Sequence, residues 1–229
     1  MEIDSPDPGR PGAGALPDSR RVRKLRSHRV LQERGVPINP HLPVLDDRDA
    51  LAMRSRDDIV DRALCLGCVA LTGEGLSRAR VRQYIERYRL YDKLSPGELA
   101  FLRTLDPDEH ARIQASWRYE GLWVMLWALD QVPELDYPDT CCDPAQAIGL
   151  IASHTEASFR SQADRRSDDE ILAMADLTYR YHWACTDAHV NARPAPADLV
   201  PGVVYERHYA FSWLTGYLGR AWDMVSTDT

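Results

Sequence analysis

The sequence predicts an all-α protein, folded as a single domain of about eight helices. Apolar residues recur at helical spacing over most of the chain, as in 81–88. Capping motifs precede several of these segments, whereas sustained two-residue alternation and Asn-Gly or Asp-Gly turns do not occur. The segment 116–129 carries three tryptophans and is apolar on nearly every side after Glu120, a pattern typical of a buried helix. We therefore expect this tryptophan-rich helix at the centre of the fold.

The N-terminal region divides into three segments. Residues 1–17 are rich in proline and glycine, which predicts a disordered tail and assigns the all-α domain to 18–229. Residues 19–34 are strongly basic with a thin apolar stripe, so we expect a helix that either touches an anionic partner or exposes its charges to solvent. Three prolines make 36–45 an extended connector.

Later helices are predicted from their start signals. A serine or aspartate stands before each segment, and acidic residues or a proline follow in the first turn. These starts are Ser55, Ser95, the 106–109 run that leads into the tryptophan-rich segment, Asp143 and Ser167, with a final helix from about Gly202.

Composition narrows the classes of function. The net charge is -7 and the isoelectric point is near 5.5, so we expect no nucleic-acid partner. The apolar runs are far shorter than the roughly 20 residues of a membrane helix, and we expect no membrane association. Five irregularly spaced cysteines favour a reducing cytoplasm over a disulfide framework. The oligomeric state is left open.

No cofactor or metal is expected from the motifs. The sequence contains no H-E-x-x-H zinc motif, no Glu-x-x-His pair, no phosphate-binding loop and no G-x-S-x-G nucleophile motif. Cys65 and Cys68 have zinc-like spacing, but they stand inside an apolar helical run and are better interpreted as small buried residues.

Glu120 is the most informative polar residue. Burying a carboxylate among tryptophans costs desolvation free energy unless the carboxylate is paired. It is therefore either a general acid or base in an apolar cavity or the partner of Arg180 or Arg207 in a buried ion pair.

Two further groups of candidates stand on the later helices. Glu206, Arg207 and His208 are consecutive, so they cannot all face one cavity. His208 is either a proton shuttle or a core histidine bonded to a tyrosine. Arg180 stands among aromatic residues near His182, where it suits a carboxylate or phosphate ligand, or a structural partner such as Glu120 or Glu206.

Several sequence blocks resemble a bacterial family known only as domain of unknown function 4272. The blocks are SWRYE at 116–120, LWAL at 126–129, YRYHWA at 179–184, VYERHYA at 204–210 and WDMVSTDT at 222–229. The resemblance extends from Arg21 to Thr229, with departures at Ser212 and Met224. It implies a helical domain in a bacterial cytoplasm and assigns no activity.

Two functions are compatible with these patterns. The first is binding of a small molecule, with or without catalysis, in a cavity lined by aromatic, arginine, glutamate and histidine side chains. The second is a protein-interaction or structural module in which the same side chains are buried structural partners. Candidate catalytic residues are Glu120, His182, Glu206 and His208, and candidate ligand-binding residues are Trp117, Arg118, Arg180, Trp183 and Arg207.

Overall fold

The computed structural model describes residues 19–46 and 51–229. Over these residues the secondary structure is helical and contains no strand, so the all-α prediction is confirmed. The tail predicted for 1–17 lies outside the described residues. The assignment of 18–229 to one domain stays a prediction.

The α-helices are numbered here in chain order. They are α1 (Ser19–Arg34), α2 (Arg56–Gly73), α3 (Arg78–Tyr88), α4 (Pro96–Arg103), α5 (Glu109–Ser116), α6 (Arg118–Ala128), α7 (Pro144–Ala152), α8 (Glu156–Gln162), α9 (Asp168–Val190) and α10 (Pro201–Leu214). Short 3-10 turns lie between α9 and α10, at Pro196–Asp198, and after α10, at Tyr217–Gly219 and Trp222–Met224.

Local capping chemistry explains where the helices begin. Ser55, Ser95 and Ser167 each accept a hydrogen bond from the third residue of the following helix, whose carboxylate bonds back to the serine backbone. Asp108, within the predicted 106–109 run, caps α5. Helix α8 was not predicted, and Thr155 caps it through a reciprocal bond with a serine instead of the usual acid.

The described helices share two apolar clusters, a larger one that includes α6 and a smaller one between α9, α10 and α1. α6 packs against α2 and α10, and all ten of its residues from Tyr119 to Ala128 are buried. α9 packs against α10 and α1, with Leu31, Tyr181 and Val204 in a smaller apolar cluster. That the other helices are arranged around α6 stays a prediction.

Trp117 stands between α5 and α6 and contacts the start of α10. A Cβ atom at Gly202 would lie only 2.6 Å from the Trp117 ring, so glycine at this position lets the indole lie directly on the α10 backbone. This contact brings the α5–α6 junction to the face where α9 and α10 meet. Within the described residues, every helix is too short or too polar to span a lipid bilayer.

Candidate functional site

A cavity of about 510 Å³, called here the first cavity, opens between the α5–α6 junction, the second half of α9 and the start of α10. Three candidate residues from three separate elements line it: Trp117, His182 and Glu206. The other lining residues are Gln114, Cys185, Thr186, His189, Arg193, Ala195, Pro201, Gly202 and Tyr205.

The residues that α9 contributes to this cavity follow helical spacing. His182, Cys185, Thr186 and His189 stand at positions i, i+3, i+4 and i+7, so they share one face of the helix. Sequence reasoning selected only His182 among them. The sequence nevertheless indicates that these four residues share one face, because they repeat at the spacing of a single helix face.

His182 and His208 are joined by a hydrogen bond between their Nδ1 atoms, which are 2.8 Å apart. Burial lowers the pKa of His182, and burial together with the neighbouring His182 lowers the pKa of His208 to about 3. Both rings are therefore neutral near pH 7, with one Nδ1 donating and the other accepting. The predicted tyrosine partner of His208 is thus replaced by a histidine; the Tyr179 ring packs against His208 with ring centroids 5.7 Å apart.

Glu206 reaches the wall of the first cavity while one of its oxygens is held by Arg118. The Arg118 Nη1 atom donates to Glu206 Oε2 at 2.6 Å, and the Arg118 side chain is 26% exposed against 6% for Glu206. Burial raises the pKa of Glu206 and outweighs the opposing effect of Arg118. Arg118 also lies over the Tyr209 ring, 5.6 Å from its centroid. The raised pKa means that, at a given pH, a larger fraction of Glu206 is protonated than of an ordinary glutamate.

Glu120 pairs with Arg207 inside the protein, one of the two partners predicted for it. Arg207 Nε lies 3.0 Å from Glu120 Oε2, and the two side chains are only 5% and 2% exposed. The backbone N–H of Cys142 donates to the other Glu120 oxygen at 2.6 Å, and Arg207 Nη1 donates to the Asp136 carbonyl at 2.6 Å. Both carboxylate oxygens are therefore engaged by the protein, as in a structural ion pair.

Arg180 forms its ion pair with Asp176, one turn earlier on α9. Arg180 Nε and Nη2 donate to the two Asp176 oxygens at 2.9 and 2.7 Å, and the Ser27 hydroxyl donates to the same carboxylate at 2.6 Å. The prediction that Glu120 or Glu206 is the structural partner of Arg180 is therefore wrong. The pair fixes α1 against α9, because Ser27 belongs to α1.

Trp183 is partly buried against the smaller apolar cluster. It is not among the residues that line the first cavity, so the structure does not bring it together with Trp117, His182 and Glu206.

The three consecutive residues on α10 diverge as their helical positions predict. Glu206 faces the first cavity, Arg207 faces Glu120, and His208 faces His182. His208 also lines a second cavity of about 330 Å³. The side chains that α9 and α10 contribute to this second cavity are Leu172, Ala175, Tyr179, His208, Phe211 and Ser212.

Comparison with known proteins gives one family assignment. No curated protein and no solved structure matches the chain significantly. The sequence does match a family described as "Domain of unknown function (DUF4272)" over residues 23–225. This match agrees with the resemblance carried by the blocks around Trp117, Tyr181 and His208. Because it covers most of the 229 residues, the chain belongs to the DUF4272 family.

Proposed function

We propose that this protein binds a small uncharged molecule with an aromatic or other apolar body in the first cavity. The observation that carries the proposal is the convergence of Trp117, His182 and Glu206, from three separate elements, on one space. Its volume of about 510 Å³ falls within the roughly 300–1,000 Å³ typical of small-molecule sites.

The charges around the first cavity favour an uncharged ligand. Arg118 offsets the Glu206 carboxylate, and Asp187 pairs with Arg193. His182 is neutral near pH 7 because burial lowers its pKa. The Trp117 and Tyr205 rings supply apolar faces, and the polar groups between them can fix the orientation of one hydrogen-bonding substituent.

The same arrangement extends the proposal to catalysis. A neutral His182 can accept a proton from a bound molecule, and His208 holds the ring through Nδ1 as the orienting partner of a general base does. Glu206, with its raised pKa, would serve as the matching acid.

A protein-interaction or structural module is the second candidate function. The Glu120–Arg207 and Asp176–Arg180 pairs favour it, because each charge has a counter-ion within the protein, although Nη1 of Arg180 is buried without a hydrogen-bond partner. Neither pair belongs to the wall of the first cavity, however. We therefore assign them to stability and keep the cavity as the proposed site.

The test is a titration with indole, an uncharged aromatic molecule with one N–H donor. Binding is monitored through the backbone and tryptophan N–H signals in NMR spectra. The wild-type chain is compared with Tyr205→Ala, which removes a ring from the cavity wall, and Tyr91→Ala, which removes a 60% exposed ring elsewhere. We expect saturable shifts that include the Trp117 indole signal. Affinity should fall about 2- to 10-fold in Tyr205→Ala, through loss of one aromatic contact, and stay unchanged in Tyr91→Ala.

Shifts that do not saturate, or that leave the Trp117 signal in place, would contradict binding of this class of ligand in the first cavity. An equal loss of affinity in both tyrosine variants would contradict the proposed location.

A further inference from the structure

His182 and His208 form a bridge between two separate spaces in the protein. His182 lines the first cavity and His208 lines the second, and their Nδ1 atoms are 2.8 Å apart. In the part of the chain that the structure describes, neither ring has a hydrogen-bond partner at Nε2. Each ring therefore bonds to the other through Nδ1, and its Nε2 is left without a partner among the described protein atoms.

The neutral pair holds two ring hydrogens, and their positions are linked. One hydrogen lies between the two Nδ1 atoms, so only one of the two Nε2 atoms carries the other. When His182 donates from Nδ1, its Nε2 is an acceptor and the Nε2 of His208 is a donor. When His208 donates from Nδ1, both roles are reversed.

We propose that the second cavity is a further small-molecule site, coupled to the first through the His182–His208 pair. A ligand in either cavity sets whether the other cavity offers a hydrogen-bond donor or an acceptor. This inference rests on the proposed function, because it requires that the first cavity bind a ligand.

The exchange between the two states balances. The hydrogen on Nδ1 of His182 passes to Nδ1 of His208, water in the first cavity gives a proton to Nε2 of His182, and Nε2 of His208 gives one to water in the second cavity. The hydroxide left in the first cavity and the hydronium formed in the second are neutralised by proton exchange with bulk water. The pair keeps two ring hydrogens and no net charge. A ligand that donates to Nε2 of His182 therefore makes Nε2 of His208 a donor, and a ligand that accepts from His182 makes it an acceptor.

The walls of the second cavity indicate the class of its ligand. Leu172 and Phe211 are apolar, Tyr179 and Ser212 add hydroxyl groups, and none of the described lining residues is a lysine or an arginine. Asp46 and Asp228 are the acidic side chains among them. These groups suit a small amine with an apolar body, and they disfavour an anion.

Two first-cavity probes of opposite polarity test the coupling in the full chain. Indole donates through N–H, whereas isoquinoline has a similar bicyclic shape and only accepts. With histidine labelled with ¹⁵N, the Nδ1 and Nε2 signals report which nitrogens carry hydrogen. Changes at both Trp117 N–H and His182 report occupancy of the first cavity, because His182 does not line the other cavity that Trp117 contacts. We expect opposite changes at His208 with the two probes, and none at His154, which lines neither cavity.

Benzylamine then tests the second site itself. Its ammonium group donates, so it should prefer His208 with a free Nε2 acceptor, the state that isoquinoline favours. We expect benzylamine to bind about 2- to 10-fold more tightly with isoquinoline present than with indole, the effect of one gained or lost hydrogen bond.

The outcomes separate the two proposals. Responses at Trp117 and His182 without any change at His208, or equal benzylamine affinity with both probes, would overturn the coupling and leave the proposed function standing. Failure of both probes to shift Trp117 would overturn binding in the first cavity and the coupling with it.

Discussion

Glu120 and Arg207 neutralise each other inside the protein, and this pair gives the clearest prediction for a single residue. Glu120→Gln removes one charge and leaves Arg207, 5% exposed, without a counter-ion. Breaking a buried pair from one side costs about 3–5 kcal/mol of unfolding free energy. The measurement is denaturant unfolding of the variant and the wild type near neutral pH.

Asp187→Asn is the matched control. It makes the same carboxylate-to-amide change in an ion pair with Arg193, but these side chains are 33% and 55% exposed. We expect a loss of about 0–1 kcal/mol, as for other exposed pairs. Equal losses in the two variants would contradict a structural role for Glu120.

The histidine pair makes stability depend on pH in a defined direction. The pKa of His208 is lowered from 6.5 to about 3, so between these values the unfolded chain binds a proton that the folded chain does not. Its contribution to stability is therefore complete above pH 6.5 and is lost as the pH falls, by up to about 1.4 kcal/mol per pH unit. The pKa of His182 is also lowered, so His182 acts in the same direction.

His208→Asn removes the titrating ring and checks this prediction. Unfolding free energies of the variant and the wild type, measured from pH 7.5 down to about pH 5.5, should converge as the pH falls. Two curves that stay parallel over this range would show that His208 does not titrate differently in the folded and unfolded states.

At the scale of a single element, the start of α9 depends on one side chain. Ser167 accepts a bond from the Glu170 N–H and completes a reciprocal capping arrangement. Ser77 stands at the same position before α3 but makes no side-chain cap bond. We expect Ser167→Ala to cost about 0.5–2 kcal/mol and Ser77→Ala close to nothing, as measured by thermal unfolding. Similar losses in both would mean that the caps do not explain where these helices begin.

Adding one methyl group at Gly202 tests the contact between α10 and the α5–α6 junction. A Cβ atom at Gly202 would meet the Trp117 ring at 2.6 Å, whereas one at Gly149 in α7 would meet nothing within 4 Å. Gly202→Ala should therefore displace Trp117, lower stability by about 1–3 kcal/mol and weaken indole binding. Gly149→Ala should leave indole binding unchanged and raise stability by up to about 1 kcal/mol. Unaltered indole affinity in Gly202→Ala would show that Trp117 does not shape the cavity.

At the scale of the whole molecule, the sequence predicts where individual helices begin, but it does not predict which side chains meet between helices. Ser55, Ser95 and Ser167 were predicted as helix starts because a cap depends on only four neighbouring residues. The sequence leaves Glu120 two possible partners, because nothing local decides between Arg180 and Arg207. The His182–His208 bond is set by how α9 and α10 pack, which no spacing in the sequence specifies.

Two contacts of the candidate residues have a signal in the sequence that the motifs alone do not capture. Asp176 and Arg180 stand four residues apart on α9, a spacing at which opposite charges meet on a helix. Cys185 and His189 continue the helix face of His182 in the same way. The remaining first-cavity residues, such as Trp117 and Glu206, meet only because three elements come together.

Two of the buried glutamates have different proposed roles: Glu120 is the partner of Arg207 in an ion pair, and Glu206 belongs to the wall of the first cavity. One crossed measurement tests this division most directly: the unfolding free energy and the indole affinity of Glu120→Gln and Glu206→Gln, near neutral pH. Because burial raises its pKa, the charged form of Glu206 is disfavoured by the fold, and Arg118 can reach water when the carboxylate is removed.

We predict that Glu120→Gln loses about 3–5 kcal/mol and, while folded, binds indole as the wild type does. Glu206→Gln should stay within about 1 kcal/mol of the wild type and bind indole about 3- to 10-fold more weakly, because its side chain lines the first cavity whereas that of Glu120 does not. The reverse pattern, with Glu206→Gln destabilised at unchanged affinity and Glu120→Gln altered in binding, would contradict the account.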